Sequence, residues 1–594
     1  MKGKMTKRML GCLLAALLFL AGCSSGGTEN SNTQGSSSSE SMSTASKDES
    51  PEAEPVTFPL KEKQTLTAFV ITPFAGSNGD YQDNWVTSIL EEQENIRIDF
   101  QTCASGEDGK TKLNLLMASG DTLPDILLAT KWTKAETMLY GQQGLIIPLN
   151  DYLEDCENWN RLNEECPARL GQLTMADGNV YSYGNTNETL HSMYQARMWI
   201  YKPWVEKLMG GKMPTTTEEL YEFLTAVKEE DPNGNGLQDE IPMTGCIADG
   251  SWATDPTTFL SNAFLQNNNI LSNTNAVTGA GFVVNNGTVE YQFSKDAYRD
   301  ALAYMNQLFK EGLLDSQTFT QDTTQMKASV QGETPLVACV ASGGFPCDTT
   351  ELRLEQPGPY QDWTVLEPVE GPDGVRLAAY YPVDYFQTCC GVVTKDCDNP
   401  ELAVKLFDLL ASEEWTLTQQ FGQEGIGWEY VEEGSSISGG EARWKVIDPP
   451  AYREDGTGGD YTSLGIDFVK NIWDTDACVL GNTSELRLGR YAKDPSMNSE
   501  GLLYSFGNAY SQYKPEDSTV LPSMAYSVED AKKISEYSVS IGQYANQATV
   551  QFITGDLDVE KDWQSYLDAL NSMDLEGYVA LQQKAYDAYQ ESFG

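Results

Sequence analysis

From Gln64 onward the chain alternates between two spacings of apolar residues. LTAFVI (Leu66–Ile71) is a short apolar run, and IRIDF (Ile96–Phe100) alternates apolar with polar, as a strand with one buried face requires. NWVTSILEEQENI, between them, reads as a helix. KTKLNLLMASG then places Leu113, Leu116 and Met117 on one helical face, with Gly120 as its stop and DILLA as the next strand. Strand–helix–strand order of this kind predicts crossover connections and a largely parallel sheet. Further on, MPTTTEELYEFLTAVKEE repeats Leu220, Phe223, Leu224 and Val227 at helical spacing, with Thr216 and Glu219 placed as a capping box. VVTKDCDNPELAVKLFDLLASEEW gives a strand and then a helix opened by Asn399 and Pro400. From about Val528 the tail is helical. Trp563, Tyr566, Leu567 and Leu570 share one face, and Leu575, Tyr578, Val579, Tyr586 and Tyr589 continue the pattern in a final helix. No internal repeat of about 20 to 50 residues is present, which argues against solenoids and propellers.

The amino end breaks this pattern. Lys2, Lys4, Lys7 and Arg8 precede an apolar run from Met9 to Leu20, shorter than the roughly 20 residues of a membrane-spanning helix but suited to a signal peptide. The run ends in Leu20-Ala21-Gly22-Cys23, which resembles a bacterial lipobox. Residues 1–22 are therefore expected to be cleaved and Cys23 acylated, anchoring the protein to the extracytoplasmic face of the cell membrane without spanning it. Residues 23–56 are Ser-rich and almost free of apolar side chains, so they are expected to form a disordered tether before a body at 57–594.

Charge and cysteines narrow the partners. With 87 acidic and 39 basic residues the formal net charge is −48, which repels nucleic acid and anionic lipid as partners of the body. The 12 cysteines contain no C-x-x-C and no small disulfide framework, so most read as small buried residues. Export is compatible with one or two disulfides, Cys156 with Cys166 for instance.

Catalytic parts are scarce. The single histidine, His191, sits in NETLHSMYQ without a nucleophile signature and reads as a surface or hinge residue, and no G-x-x-x-x-G-K-[ST] occurs. Carboxylates for a glycosidase abound, but the order of elements suits neither a barrel nor a sandwich. We expect binding without catalysis. Aromatic residues are the positive signal, because Trp and Tyr stack on the apolar face of a sugar ring. Trp85 follows the loop after the first strand, Trp132 follows DILLA, Trp252 lies past a polar loop, and Asp384 and Tyr385 precede CCGVV. Ligands of α/β lobes bind at such loops past strand ends. Asp121, Asp384 and Glu424 add acceptors for hydroxyl groups.

LNLLMASGDTLPDILLAT, RMWIYKPWVEKLMGGKMPTTTEELYEFLTAVKEEDPNGNGLQDEIPMTG, FGQEGIGWEY and FITGDLDVEKDWQSYLDALNSM follow one another behind the lipobox and tether. In that order they resemble the large extracellular solute-binding lipoproteins of bacterial ABC importers (family 1), in the oligosaccharide branch that includes alginate-binding proteins. The resemblance implies an α/β, two-lobed, type II periplasmic-binding-protein-like fold with discontinuous lobes joined by hinge strands. Lobe 1 would take about 57–183 plus 380–423, and lobe 2 about 184–379 plus 424–594. It implies a monomer that captures an oligosaccharide and delivers it to ABC permease subunits. It also adds Trp199 and Tyr201, which open the motif leading into the second lobe, and Trp428, which follows FGQEG, to the ligand contacts. Lys202-Pro203 stands where relatives often carry a basic–acidic pair, and no cluster of Arg lines the candidate loops, so a neutral glycan fits better than a uronate polymer. A ligand sensor feeding a membrane kinase, a peptide-binding importer subunit and a surface glycosidase are the alternatives.

The densest polar motif is DPNGNGLQDE. Asp231, Asn233, Asn235 and Gly236 meet the EF-hand pattern D-x-[DN]-x-[DN]-G, with Leu237 offering its backbone carbonyl, but position twelve is Pro242. From the residues alone this is either a structural Ca²⁺ loop or an Asn/Gly-rich turn. The resemblance favours Ca²⁺, because EF-hand-like loops in the alginate-binding relatives use an acidic pair where Asp239 and Glu240 stand, with Glu240 as the bidentate ligand.

Overall fold

The computed structural model of the protein describes residues 55–593 apart from 72–80, 83, 104–106, 131, 249–251, 270, 272–280, 333, 350–351, 353–355, 382–385, 388–389, 448–472 and 474–478. The leader, Cys23, the tether up to Glu54, Asp384 and Tyr385 lie outside the described residues.

Strand Gln64–Ile71 runs through the middle of a four-stranded sheet. It is flanked by Ile96–Cys103 and Ile126–Leu128, both parallel to it, and the antiparallel Val392–Val393 pairs with Ile126–Leu128. Ile96 and Ile98 are buried while Arg97 and Asp99 are exposed, as the period-two spacing predicts. Helices Trp85–Glu94 and Glu107–Ala118 supply the crossovers. The first begins where the Asn84 side-chain Oδ1 accepts from Val86 N at 2.9 Å, and at helix Pro400–Leu410 the Asn399 side chain accepts from Leu402 N in the same role. Leu66, Val70, Leu90, Ile126 and Phe407 meet in the core of this lobe.

The second sheet has the order Trp363–Leu366, Met198–Tyr201, Val337–Ala341, Ile241–Thr244. Ile241–Thr244 and Val337–Ala341 are parallel, while Met198–Tyr201 runs antiparallel to both of its neighbours. All five residues of Val337–Ala341 are buried, as befits a strand covered on both faces. Helices Thr217–Glu229 and Asp296–Lys310 and the tail helices Gln543–Thr554 and Trp563–Ser572 fill out a separate, larger core. The Asn306 side chain ties this bundle together by donating to the Phe552 and Ile553 carbonyls at 2.9 and 3.0 Å. Between the sheets, Asn185–Thr186 pairs antiparallel with Phe386–Gln387, and Asn187 bridges to Asn482.

Three expectations change. The capping box is half formed: Thr216 Oγ1 accepts from Glu219 N at 3.1 Å, but the Glu219 carboxylate turns back to Thr215 N and Oγ1 and to Lys212. Cys156 and Cys166 do not bridge. They cap opposite ends of helix Glu157–Glu165, about 15 Å apart by helical rise, whereas a disulfide spans roughly 6 Å. Burial pushes these thiols up to about 11 and about 12, so they stay protonated and unreactive. Finally, Trp473 and Leu480 return to the first core, where Trp473 Nε1 donates to Thr87 Oγ1 at 3.0 Å. A division of the lobes at residue 423 therefore misplaces them.

Candidate functional site

Strands Ile241–Thr244 and Val337–Ala341 end at the same edge of the second sheet, and the antiparallel Met198–Tyr201 begins there. Three segments consequently converge at that edge: 195–197, the loop after Thr244, and Ser342–Gly344. Trp252 lies among them with 43% of its surface exposed, although its neighbours are mostly buried. Its Nε1–H donates to Gln195 Oε1, and its carbonyl accepts from Gly343 N at 3.0 Å. The indole lies directly over Gly343, where a Cβ would fall 2.5 Å from the ring's Cδ2. Behind it the Arg197 guanidinium stands 5.9 Å from the ring centroid and donates to the His191 carbonyl at 2.8 Å and to the Gly343 carbonyl. Burial lowers the Arg197 pKa to about 10, so it remains a cation at neutral pH. Arg197 Nε has no hydrogen-bond partner among the described residues, leaving the indole face to offset part of its charge.

His191 packs edge-on against Trp252 at 6.2 Å and connects this shelf to the segments between the lobes. Its Nδ1 is 3.7 Å from Glu500 Oε1, which accepts from Arg487 Nε at 2.6 Å. Arg487 Nη1 in turn donates to Asn187 Oδ1, which also accepts from Asn482 Nδ2. Burial dominates at His191 and pulls its pKa down to about 3, against the pull of Glu500. At Glu500 burial acts the other way, but Arg487 and then His191 outweigh it and hold the carboxyl at about 2. The imidazole is thus neutral and the carboxylate charged. Beside them is a small recess, with room for about one water molecule, lined by Gln420, Phe421, Trp444, Asn482, Arg487, Arg490 and Glu500.

The structure separates the other sequence candidates. Trp199 and Trp428 are fully buried: Trp199 packs on Phe345 and Phe506 and donates to the Ser342 carbonyl, and Trp428 donates to the Gly422 carbonyl. Trp132 is 5% exposed and packs on Tyr140 at 4.6 Å. These three are packing residues in this geometry, with no face left for a ligand. Tyr201 ends an antiparallel strand, so it lies at the edge opposite Trp252, edge-on to Trp204 and tilted against Trp363. Asp121 precedes strand Ile126–Leu128 and is likewise at the wrong edge, exposed beside Ser119. Trp85 does meet the FGQEG turn: Gly422, at φ +85°, has the Trp85 ring where a Cβ would stand, with Glu424 exposed nearby in sequence. Gln195, Arg197 and Gly343 were not among the sequence candidates, since they precede or follow strands whose direction only pairing reveals.

In the polar loop, Asp231 Oδ1 accepts from Gly234 N and Asn235 N, and Oδ2 accepts from Gly236 N at 2.8 Å. Gly236, at φ +80°, makes that turn without strain. These amides, Gly236 first, hold the Asp231 carboxyl below its ordinary range. Asn233 and Asn235 donate to Asp239, and Leu237 N donates to Asn235 Oδ1. Among the described residues no three His, Cys, Asp or Glu side chains are gathered closely enough to hold a metal. One atom has bonding capacity to spare: Glu240 Oε2 is buried without a hydrogen-bond partner.

Residues 75–416 match the family model described as bacterial extracellular solute-binding protein. The chain is 26% identical over 600 residues to the fructooligosaccharide ABC transporter substrate-binding protein FusA of Streptococcus pneumoniae, covering 99% of each protein. An EF-hand mutant of FusA in complex with fructo-nystose superposes with a TM-score of 0.67 at 23% identity, over 89% of this chain and 100% of that one. A solute-binding protein from Bifidobacterium longum infantis, described as HMO-binding and ABC-transporter-associated, gives 0.71 at 19% identity, over 89% and 99%. The two sheets, their separate cores and the strands between them are thus those of a two-lobed periplasmic-binding-protein-like fold.

Proposed function

Because this chain belongs to the bacterial extracellular solute-binding protein family, we propose that it is the substrate-binding subunit of an ABC importer and captures a neutral oligosaccharide. The observation that carries the sugar assignment is Trp252, an indole fixed by its polar edge to Gln195 with 43% of its surface left exposed. Burying an indole face against the C–H face of a sugar is favourable, while a hydroxyl rim needs polar partners. Polar groups around the ring, among them the Gln195 side-chain amide, would supply those. FusA, similar over nearly its whole length, is named for fructooligosaccharides, which makes such sugars the first ligands to try. The residues named act by binding and orienting; the family is one of binding proteins, and no reaction is assigned to them. Acylation at Cys23 would hold the body at the outer face of the membrane for delivery to permease subunits, with the protein acting as a monomer. Of the alternatives, no observation favours the sensor, peptide or glycosidase readings.

We further propose that Asp231, Asn233, Asn235, the Leu237 carbonyl, Asp239 and Glu240 hold Ca²⁺. The spare oxygen of Glu240 and the EF-hand named in FusA support it. A bound Ca²⁺ would offset the charge of the three carboxylates and stiffen the loop. Calorimetric titration of the protein with fructo-nystose, other neutral oligosaccharides and peptides tests the main reading: saturable binding to a glycan is expected. Binding to peptides alone, or sugar released from a labelled oligosaccharide, would overturn it. Asp231→Ala should lower the melting temperature in calcium by a few degrees, and chelator should do the same to the unaltered protein, each with less than about a threefold change in glycan affinity. A melting temperature indifferent to both would sink the calcium assignment.

A further inference from the structure

We propose that Gly343 is a specificity-determining position of the oligosaccharide site: its missing side chain lets the Trp252 indole lie flat on the backbone and so sets the height and tilt of the surface on which a sugar ring stacks. The proposal rests on the reading of Trp252 as that surface. Gly343 has no left-handed backbone conformation to explain the choice of glycine, so the reason is room. A Cβ there would stand 2.5, 2.8 and 2.9 Å from Cδ2, Cε2 and Cγ of the indole, in the middle of the ring system and not at a yielding tip. Gly344, next in the chain, is the contrast. Its Cβ would meet Trp252 Cζ3 at 3.6 Å, an ordinary contact.

Neither partner can give way cheaply. The segment under the ring is fixed by Gly343 N to the Trp252 carbonyl, by Arg197 to the Gly343 carbonyl, by Ser342 N to the Arg197 carbonyl at 3.1 Å, and by Trp199 Nε1 to the Ser342 carbonyl at 2.9 Å. The ring is held at its edge by Gln195. A methyl group at position 343 must therefore lift the indole, break the Gln195 hydrogen bond and move the ring away from Arg197. Gly343 is a positioning residue: it touches the surface that touches the ligand. A flat furanose or pyranose face can stack only while the indole keeps this seat.

Two readouts test it on the full chain, using Gly343→Ala, Gly344→Ala, Trp252→Ala and the double variant Gly343→Ala/Trp252→Ala. The first needs no ligand. Oxidation of Trp252 by N-bromosuccinimide, located by peptide mass spectrometry, should run at least about threefold faster in Gly343→Ala and unchanged in Gly344→Ala. The second is affinity for fructo-nystose, or for whichever neutral oligosaccharide binds. Gly343→Ala should weaken it about tenfold or more, Gly344→Ala less than about twofold, and Gly343→Ala should add nothing once Trp252 is Ala. A merely structural role would cost affinity in both backgrounds. Should Gly343→Ala alone not fold, the double variant must restore folding, because the clash is gone. Equal effects of the two glycine substitutions, or an unchanged Trp252 oxidation rate in Gly343→Ala, would overturn the proposal. Glycan binding that survives Trp252→Ala would instead overturn the reading beneath it, while the oxidation arm still judges Gly343.

Discussion

Trp132 and Trp252 arise from the same kind of sequence signal, a tryptophan a few residues beyond a strand, yet the molecule uses them in opposite ways. Trp252 spends its polar edge on the protein, through Gln195, and keeps much of its surface exposed. Trp132 spends its faces on packing against Tyr140 and is buried, while its Nε1–H has no partner among the described residues. An indole can offer a ligand its face or its N–H, and which is offered depends on which the protein has already consumed. By this measure the second lobe has an indole that could serve the proposed stacking and the first lobe, at Trp132, does not.

The largest expected effect is the loss of that surface. Trp252→Ala should reduce glycan affinity by about 10²-fold, roughly 2 to 3 kcal/mol, as for a central aromatic contact. Because Trp252 is already 43% exposed, the melting temperature should change little. Calorimetric titration with fructo-nystose beside a thermal melt reads both. A stable variant with unaltered affinity would erase the contrast between the two tryptophans.

Acid should act on the Trp252 side through His191. Its folded pKa of about 3 lies below the ordinary 6.5, so the unfolded chain binds a proton first. Stability from this group is complete at neutral pH and is lost as pH falls from about 6.5 toward 3, with no further loss below. Glu500, held at about 2 against an ordinary 4.5, adds a loss of the same sign between 4.5 and 2. Arg487 and Arg197 face the same imidazole and strengthen its resistance to a proton. The cost at pH 4 is on the order of 3 kcal/mol, by the free energy of a pKa shift. Melting curves from pH 7 to pH 4 should fall more steeply for the unaltered protein than for His191→Gln. Parallel curves would mean that the buried imidazole does not govern the site's acid response.

What was legible in the sequence follows what is local in the physics. Asn84 and Asn399 start their helices where the pattern placed them, and Ile96 and Ile98 turn inward as period two demands. Strand direction is not local. The resemblance adds Trp199 and Tyr201 to the ligand contacts because they open the motif leading into the second lobe, but their strand runs antiparallel, so the edge that carries Trp252 lies before it, at Gln195 and Arg197. The role of Gly343 was equally hidden, since only the folded chain lays an indole across it. The loop from Asp231 to Glu240 was legible as a pattern, because its turns are made by neighbours in sequence.

The smallest effect, and the sharpest test of the contrast, is expected at Trp132. Trp132→Phe keeps an aromatic ring against Tyr140 and removes the buried donor that has no partner. Leaving a buried N–H unsatisfied costs about 1–3 kcal/mol, and shortening the ring system returns a packing penalty of similar size. The two nearly cancel, so the melting temperature should stay close to that of the unaltered protein or rise slightly. Glycan affinity should change less than about threefold, because a ring whose faces are consumed by the core presents nothing for a sugar to stack on. If a folded Trp132→Phe instead lost affinity about tenfold, its N–H would be a ligand donor reached when the lobes close. The two tryptophans would then be complementary halves of one site, one offering a face and the other an edge.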